Sequence, residues 1–260
     1  MPLRGIQVIY NSLVKRLFIV LALLFSASLP AQAPTAVPIA REPHHHLVLE
    51  NDYVRVFRVS VPAHDATLLH QHDVPYLYIS LGPADVINAV QGKPEARIVM
   101  ADGQLGYSLG HFAHMARNES DVPFNNVTIE LLKPQGEVQN ICVEVVPGVE
   151  KQTCSRSVME KRSGMSNVPQ FQTDEISASM ARLDPDAEQI TMTQYTGTLF
   201  VLLGGSGIQT MIKGKPDQTL VVGDVMWLLA GSNATFYNPA HKAWSYLTVG
   251  FKGSEALHKY

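Results

Sequence analysis

The residues most able to do chemistry in this chain are two histidines one position apart, His70 and His72, at the head of an apolar run. The run is rich in β-branched and aromatic residues and closes on Gly82-Pro83, which is typical of a strand followed by a turn. Side chains two positions apart on a strand share a face, so both imidazoles could bind one metal ion with a third ligand from elsewhere. The same pattern also fits one hydrogen-bonded core histidine and one solvated histidine.

Strands must position these histidines, because short alternating apolar runs dominate the chain after residue 46. They include VRVFRVSV, YLYISL, NVTIELL, LFVLL and SYLTVGF. Helical patterns are scarce, and EISASMARL is the best short candidate for a helix. The pattern predicts an all-β fold, either a sandwich or a barrel.

The chain also contains an internal repeat. YLYISLGPADVINAVQGKP (76–94) aligns with TLFVLLGGSGIQTMIKGKP (198–216), and Gly82 falls on Gly204. After a gap of two residues, ADGQLGYSLGHFAHMARN (101–118) aligns with VVGDVMWLLAGSNATFYN (221–238), and Asn118 falls on Asn238. We therefore expect two related β domains.

The candidate metal ligands are missing from the second copy of the repeat. Met192, Gln194 and Ala234 stand where the first copy has His70, His72 and His114. Histidines needed only for packing could vary one by one. Their joint absence is what a metal site lost as a unit would leave.

These segments resemble the two motifs of the cupin family. The first motif reads Gly, five residues, His-x-His, three or four residues, Glu, six residues, Gly. Here His64 occupies the opening glycine position, His70 and His72 match, and Tyr76 or Leu77 stands where the glutamate would be.

The second motif reads Gly, five residues, Pro-x-Gly, two residues, His, three residues, Asn. Gly103, His114 and Asn118 match it, whereas Leu109 and His111 replace the proline and the second glycine. The resemblance covers roughly residues 46–255. It implies an all-β chain of two double-stranded β-helix (cupin or jelly-roll) barrels in tandem.

The resemblance also implies one divalent metal ion, bound by His70, His72 and His114 in the first barrel. Because the glutamate is missing, we expect a three-histidine site completed by water, with Tyr76 as a less favourable alternative ligand. The ion could be iron, zinc, manganese, copper or nickel, since imidazole suits several transition metals. Three protein ligands leave open positions, which is the pattern of catalytic sites.

Other polar residues near these motifs have two interpretations each. His111 is either a base behind the ligands or a histidine on the rim, and His64 lines the barrel mouth or lies solvated in a loop. Tyr76 is a core or pocket aromatic, and Asn118 is expected to hydrogen-bond a turn. We expect the histidine triplet at 44–46 to be disordered or the solvated start of a strand.

The first 33 residues have the pattern of a signal peptide. The basic residues Arg4, Lys15 and Arg16 precede the apolar run LFIVLALLFSASL, and Ala33 ends a small-x-small cleavage site. An uncleaved anchor is the alternative. We expect export from a bacterial cytoplasm, to the periplasm or beyond, and no membrane association after cleavage.

Domain boundaries follow from these features. We expect a signal peptide over 1–33, the first barrel with the metal motif over 34–150, a polar linker over 151–169 and a degenerate second barrel over 170–260. Cys142 and Cys154 lie close together in the sequence, so a disulfide is expected in an oxidising compartment, with two free thiols as the alternative.

Two functions are compatible with the sequence. One is an exported metalloenzyme, a small-molecule dioxygenase or isomerase; the other is a non-catalytic cupin that binds a small ligand or a partner, with the metal structural or absent. Loss of the three basic residues makes the formal charge of −3 more negative, which argues against a nucleic-acid partner. Related barrels often pair through strand edges, so a homodimer is one expected assembly.

Overall fold

The structure is a computed structural model that describes residues 35–154, 160–162 and 164–255. The predicted signal peptide lies outside the described residues. None of the described residues belongs to a helix long and apolar enough to cross a membrane. The described elements are one 3-10 turn, Ile39–Arg41, and the strands β1 (Val37–Pro38), β2 (His45–Glu50), β3 (Val54–Val61), β4 (His70–His72), β5 (Tyr76–Ser80), β6 (Ala84–Val90), β7 (Ala96–Met100), β8 (Leu105–Ser108), β9 (Phe112–Asn118), β10 (Phe124–Leu131), β11 (Val138–Asn140), β12 (Glu160–Arg162), β13 (Met165–Thr173), β14 (Ile176–Leu183), β15 (Gln189–Thr193), β16 (Thr196–Gly204), β17 (Ile208–Ile212), β18 (Gln218–Leu220), β19 (Val225–Leu228), β20 (Asn233–Tyr237) and β21 (Trp244–Glu255).

The strands form four sheets. The first sheet has the order β1-β4-β9-β6-β7 and the second β2-β3-β10-β5-β8. The third has the order β11-β13-β14-β21-β16-β19, with β12 beside β13, and the fourth β15-β20-β17-β18. Neighbouring strands run antiparallel, except that β1 runs parallel to β4.

Three apolar cores separate the four sheets. Phe57 and Val86 belong to the core between the first and second sheets. Ile129 and Val249 belong to the core between the second and third sheets, and a third core packs between the third and fourth sheets. The second and third sheets are therefore buried on both faces, which explains their nearly continuous apolar runs.

The fold class predicted from the sequence is confirmed: the chain is all-β, with two cupin-type barrels in tandem. The first barrel encloses the space between the first and second sheets, and the second barrel the space between the third and fourth. The helix candidate EISASMARL is wrong, because Ile176–Leu183 forms β14, a central strand paired with β13 and β21. Long-range pairing overrode the local pattern.

The internal repeat is visible in the strand pairing. His70 lies opposite His114 across β4 and β9, and Met192 lies opposite Ala234 across β15 and β20. Each half thus places the corresponding residues at the same point of the ladder. The predicted ligand positions of the first barrel therefore have structural equivalents in the second.

The asparagines of the repeat also have equivalent roles. The Nδ2 of Asn118 donates to the carbonyl of Val122, and the Nδ2 of Asn238 donates to the carbonyl of Lys242, both at 2.8 Å. Both asparagines are buried. Each asparagine therefore stabilises the equivalent turn in its own half of the chain.

Strands up to β10 build the first two sheets, and those from β11 onward build the other two. The segment predicted as a linker contains β12 and the beginning of β13. The boundaries at residues 150 and 170 stay a prediction.

The predicted disulfide is present between Cys142 and Cys154. Asn140 organises the loop that it closes: its Nδ2 donates to the carbonyls of Val146 and Val149, at 2.8 and 2.9 Å. The loop is therefore fixed by a covalent link and by a buried amide side chain.

Candidate metal centre

Four histidine rings meet inside the first barrel. On β4 the side chains of His70 and His72 are buried on one face, as the alternation of a strand requires. His114 faces them from β9, and His45 from β2. The ring centroid of His70 lies 4.5 Å from that of His114, 4.7 Å from that of His45 and 5.0 Å from that of His72.

Hydrogen bonds at Nδ1 orient the rings of His70 and His114. The Nδ1 of His70 lies 2.8 Å from the carbonyl oxygen of Leu68, and the Nδ1 of His114 lies 2.6 Å from Oδ1 of Asn88. Metal-binding histidines usually donate their second ring N–H in this way. The Nε2 atoms of His70 and His114 are left to act as ligands.

The carboxylates of Glu42 and Glu130 lie behind the other two rings. Oε2 of Glu42 is 2.5 Å from Nδ1 of His45, and Oε1 of Glu130 is 3.9 Å from Nδ1 of His72. Each ring of the cluster therefore has an oxygen atom near its Nδ1. The sequence analysis identified neither glutamate.

Two subsets of the cluster have donor atoms at the spacing of a metal site: His72 with His114, and His45 with His70 and His72. The Nε2 atoms of His72 and His114 are 3.1 Å apart. Two nitrogen atoms that each lie about 2.1 Å from one ion, at a right angle, are about 3.0 Å apart. In addition, each of His45, His70 and His72 offers a ligand atom within 4.8 Å of the others.

An unpaired buried atom supports the same conclusion. The Nε2 of His70 is buried and has no hydrogen-bond partner among the described residues. Leaving such an atom unpaired costs about 1–3 kcal/mol. A metal ion bound by the cluster would give this nitrogen a partner, so the residues present fit a metal site.

Burial keeps the three predicted ligands neutral. It is the main cause that lowers the pKa of His70 to about 4, of His114 to about 3 and of His72 to about 2, and nearby histidines add to the effect. Neutral imidazole is the form that binds metals. These rings therefore need not lose a proton to bind an ion at neutral pH.

The prediction for the histidine triplet is wrong at His45. His45 is ordered in β2 and only 9 % exposed, whereas His44 is half-buried and His46 exposed. Consecutive residues of a strand face opposite sides, so one histidine of the triplet had to point inward. The residues that follow, Leu47, Val48 and Leu49, are all apolar and gave no alternation that could identify the buried ring.

A cavity of about 250 Å³ opens beside the histidines. Its other lining residues are uncharged: some carry hydroxyl, phenol or amide groups, and the rest have apolar side chains. The non-histidine lining residues are Val59, Tyr76, Tyr78, Val86, Asn88, Ile98, Met100, Tyr107, Ser108, Phe112, Ala116, Phe124, Asn126 and Thr128.

Tyr76, one of two residues that could stand at the place of the missing motif glutamate, packs against the predicted ligand His72. Its ring stacks on His72 with centroids 4.1 Å apart and an interplanar angle of 20°. Burial raises the pKa of the Tyr76 phenol well above its ordinary value, although its hydrogen bond with Ser108 opposes the shift. The hydroxyl therefore stays protonated, which makes it a poor ligand.

The other three residues singled out from the motifs do not line the cavity. His111 is exposed in a left-handed conformation, and its backbone N–H donates to the carbonyl of His72. His64 pairs with Asp121 in a loop. Asn118 holds a turn, as expected from its residue type.

Glu130 is a buried carboxylate that the sequence analysis missed. It is 0 % exposed and lies 3.0 Å from Nη2 of Arg55 as well as beside His72. Burial raises the pKa of Glu130, and the charge of Arg55 opposes that shift. Glu130 thus lies behind His72, and the positive charge of Arg55 compensates the charge of its carboxylate.

No protein-family model matches this sequence, and no curated protein sequence matches it. Solved structures with the same fold do exist. AerE from Microcystis aeruginosa superposes with a TM-score of 0.55 at 11 % identity, covering 84 % of this chain and 97 % of AerE. The shared architecture is a tandem cupin-type barrel.

A salicylate 1,2-dioxygenase from Pseudaminobacter salicylatoxidans is similar in the same way. It superposes with a TM-score of 0.54 at 10 % identity, covering 82 % of this chain and 77 % of the enzyme. The same enzyme in adducts with gentisate gives 0.52 at 11 % identity, covering 76 % and 68 %. At these identities the similarity concerns the fold.

Proposed function

We propose that this chain binds one divalent transition metal ion through His70, His72 and His114 and uses it to act on a small molecule in the adjoining cavity. One observation carries the proposal: the Nε2 atoms of His72 and His114 lie 3.1 Å apart, ligand atoms of His70 and His72 lie within 4.8 Å of each other, and hydrogen bonds at Nδ1 hold His70 and His114 in place. A bound ion would supply Lewis-acid or dioxygen chemistry. The histidines would hold the ion, and the adjoining cavity would hold the small molecule beside it.

The reaction class we favour is oxidation or isomerisation of a small molecule. The dioxygenase among the structural neighbours supports oxygen chemistry. Polar groups on the wall, such as Asn126 and Thr128, are placed to orient a hydrogen-bonding ligand. We also propose that the protein is exported, which the disulfide supports.

A non-catalytic binding protein is the second candidate. It is favoured by the uncharged lining, because the cavity wall offers neither a carboxylate nor a lysine to move a proton. In that case the metal would be structural, or the cavity would bind its ligand without a metal.

Elemental analysis of the protein, purified without a histidine tag, tests the proposal. We expect about one transition metal ion per chain in the wild type and in a His64→Ala/His241→Ala control, which removes two exposed histidines. The His70→Ala/His72→Ala variant should lose the ion. A wild-type protein that stays metal-free after reconstitution would refute the metal site and leave the binding protein as the better candidate.

A further inference from the structure

We propose that His45 is a fourth ligand of this metal ion and that Glu42 positions it; the inference rests on the metal site proposed above. His45 comes from β2, which precedes both motif-bearing segments of the first barrel. Its ring lies 4.7 Å from the ring of His70, and its ligand atom lies within 4.8 Å of those of His70 and His72.

Glu42 holds the ring of His45 in the orientation that ligation requires. Its side chain is buried and receives two backbone hydrogen bonds, from the N–H of His44 at 2.8 Å and from the N–H of Leu68 at 3.1 Å. Its other contact is with Nδ1 of His45, at 2.5 Å. A carboxylate there fixes the proton on Nδ1 and leaves Nε2 as the donor atom.

The charge state of Glu42 is consistent with this role. Burial would raise the pKa of Glu42, but the hydrogen bonds from His45, Leu68 and His44 outweigh it and hold the pKa below its ordinary value. The N–H groups of His44 and Leu68 and the His45 ring all point at this carboxylate, which is the arrangement that favours its charged form. The carboxylate also provides a negative charge close to an ion whose histidine ligands carry none.

The position of His45 compensates for the glutamate that the first motif lacks. Tyr76 or Leu77 stands at that place, and the hydroxyl of Tyr76 pairs with Ser108 instead of facing an ion as a carboxylate would. The fourth protein ligand comes instead from the N-terminal side of the barrel. The resulting site has four neutral nitrogen donors rather than three nitrogens and a carboxylate.

The same arrangement links the ion to the N-terminal segment. β1 pairs in parallel with β4, with Val37 opposite His70, and the N–H of Val37 donates to the carbonyl of Leu69. Residues 37–45 are thus joined to the ligand strand at Val37 and Glu42, and to the ion through His45. Metal binding should therefore protect this segment from opening.

Two neighbouring histidines on β2 provide a matched test with Co²⁺ as the probe. His45→Ala removes the proposed ligand, and His46→Ala removes an exposed ring beside it. We expect wild type and His46→Ala to bind one Co²⁺ with the same affinity and visible spectrum. His45→Ala should bind at least ten-fold more weakly with an altered spectrum, and Glu42→Gln about 10–100-fold more weakly.

The spectra and affinities give distinct outcomes. Equal affinity and an identical spectrum for His45→Ala and His46→Ala would overturn the role of His45 while leaving the three-histidine site intact. Failure of the wild type to bind Co²⁺ would overturn the metal site itself, and this proposal with it. If His45→Ala does not fold by circular dichroism, His45→Phe keeps a ring of similar size and serves as the test variant.

Hydrogen exchange supplies a second readout. Co²⁺ should slow the exchange of backbone amides in residues 37–50 of the wild type and of His46→Ala, but not of the His45 variant. Equal slowing in the His45 variant would contradict the proposed link.

Discussion

The ring of His72 has a neighbouring residue at its face and at each of its two nitrogen atoms. Tyr76 stacks on its ring, Nε2 faces His114, and Nδ1 faces the buried Glu130. The same burial that makes the ring a ready ligand makes it hard to protonate. Buried neutral histidines of this kind lower the stability of the metal-free protein when the solution becomes acidic.

The metal-free protein should lose stability in mild acid. The pKa values of His70, His114 and His72 lie below the unfolded value of 6.5, so below that pH the unfolded chain binds protons that the folded chain does not. Their contribution is fully present above pH 6.5 and is lost as the pH falls towards 4. Each group costs about 1.4 kcal/mol per pH unit in this window.

Urea unfolding of the metal-free protein at pH 7.5 and pH 5.0 measures this loss. Between pH 7.5 and pH 5.0, the free energy of unfolding should decrease less in His72→Gln than in the wild type. The difference should equal the contribution of one titrating histidine. His64→Ala, which removes an exposed ring, should show the wild-type decrease. An undiminished decrease in His72→Gln would contradict the buried neutral state of that ring.

At the same scale, the sequence predicted the residues that lie in motifs and missed those that lie outside them. His70, His72 and His114 followed from spacing and from the repeat, and the structure brings them together. His45 and Glu130 did not, because their approach to the site depends on pairing between strands far apart in sequence. In the local sequence, such pairing is visible only as side chains that face alternately towards and away from the core.

The next scale is that of strands and turns. The sequence predicts that His70 and His72 share one strand with the apolar run after them, but this segment forms β4 and β5, which belong to different sheets. Pro75 lies between them and cannot donate a ladder hydrogen bond, so the chain crosses from one sheet to the other there. The repeat, by contrast, predicted the equivalence of β4 and β9 with β15 and β20 correctly, because matching turns fix the register.

The loop closed by the disulfide should contribute measurably to stability. Cys142 and Cys154 are 12 residues apart, and a link across a loop of this size is worth about 3 kcal/mol. A Cys142→Ser/Cys154→Ser variant should unfold at a lower denaturant concentration by that amount. Reduced wild type is the control and should match the variant. An unchanged unfolding midpoint would show that Asn140 alone holds the loop.

At the largest scale, the sheets described between residues 36 and 255 form a stack of four, with a core shared between the two barrels. Ile129 of the second sheet and Val249 of the third belong to one fully buried cluster. Tyr53 stacks on Trp227 between the halves, with ring centroids 5.6 Å apart and an interplanar angle of 15°. The two barrels should therefore unfold together rather than one after the other.

A mutation confined to the first barrel tests this cooperativity. Phe57 is fully buried on the inner side of the first barrel, so Phe57→Ala should cost about 3–5 kcal/mol. Both tryptophans, Trp227 and Trp244, lie in the second half. Their fluorescence should report the same shift in unfolding midpoint as far-UV circular dichroism, and the exposed-site control Val99→Ala should shift neither. A tryptophan signal that stays at the wild-type midpoint would contradict the shared transition.

The core of the second barrel has a consequence for protein engineering. Phe200 stacks on Phe236 and on Tyr246, with centroids 4.6 and 5.0 Å apart, so aromatic rings occupy the interior that the first barrel keeps open for its histidines. Grafting histidines onto Met192, Gln194 and Ala234 would therefore crowd imidazoles into a filled space instead of restoring a binding site. A workable redesign instead replaces one of these aromatic residues with a smaller one. The resulting apolar cavity could bind a hydrocarbon. The first barrel would be unchanged.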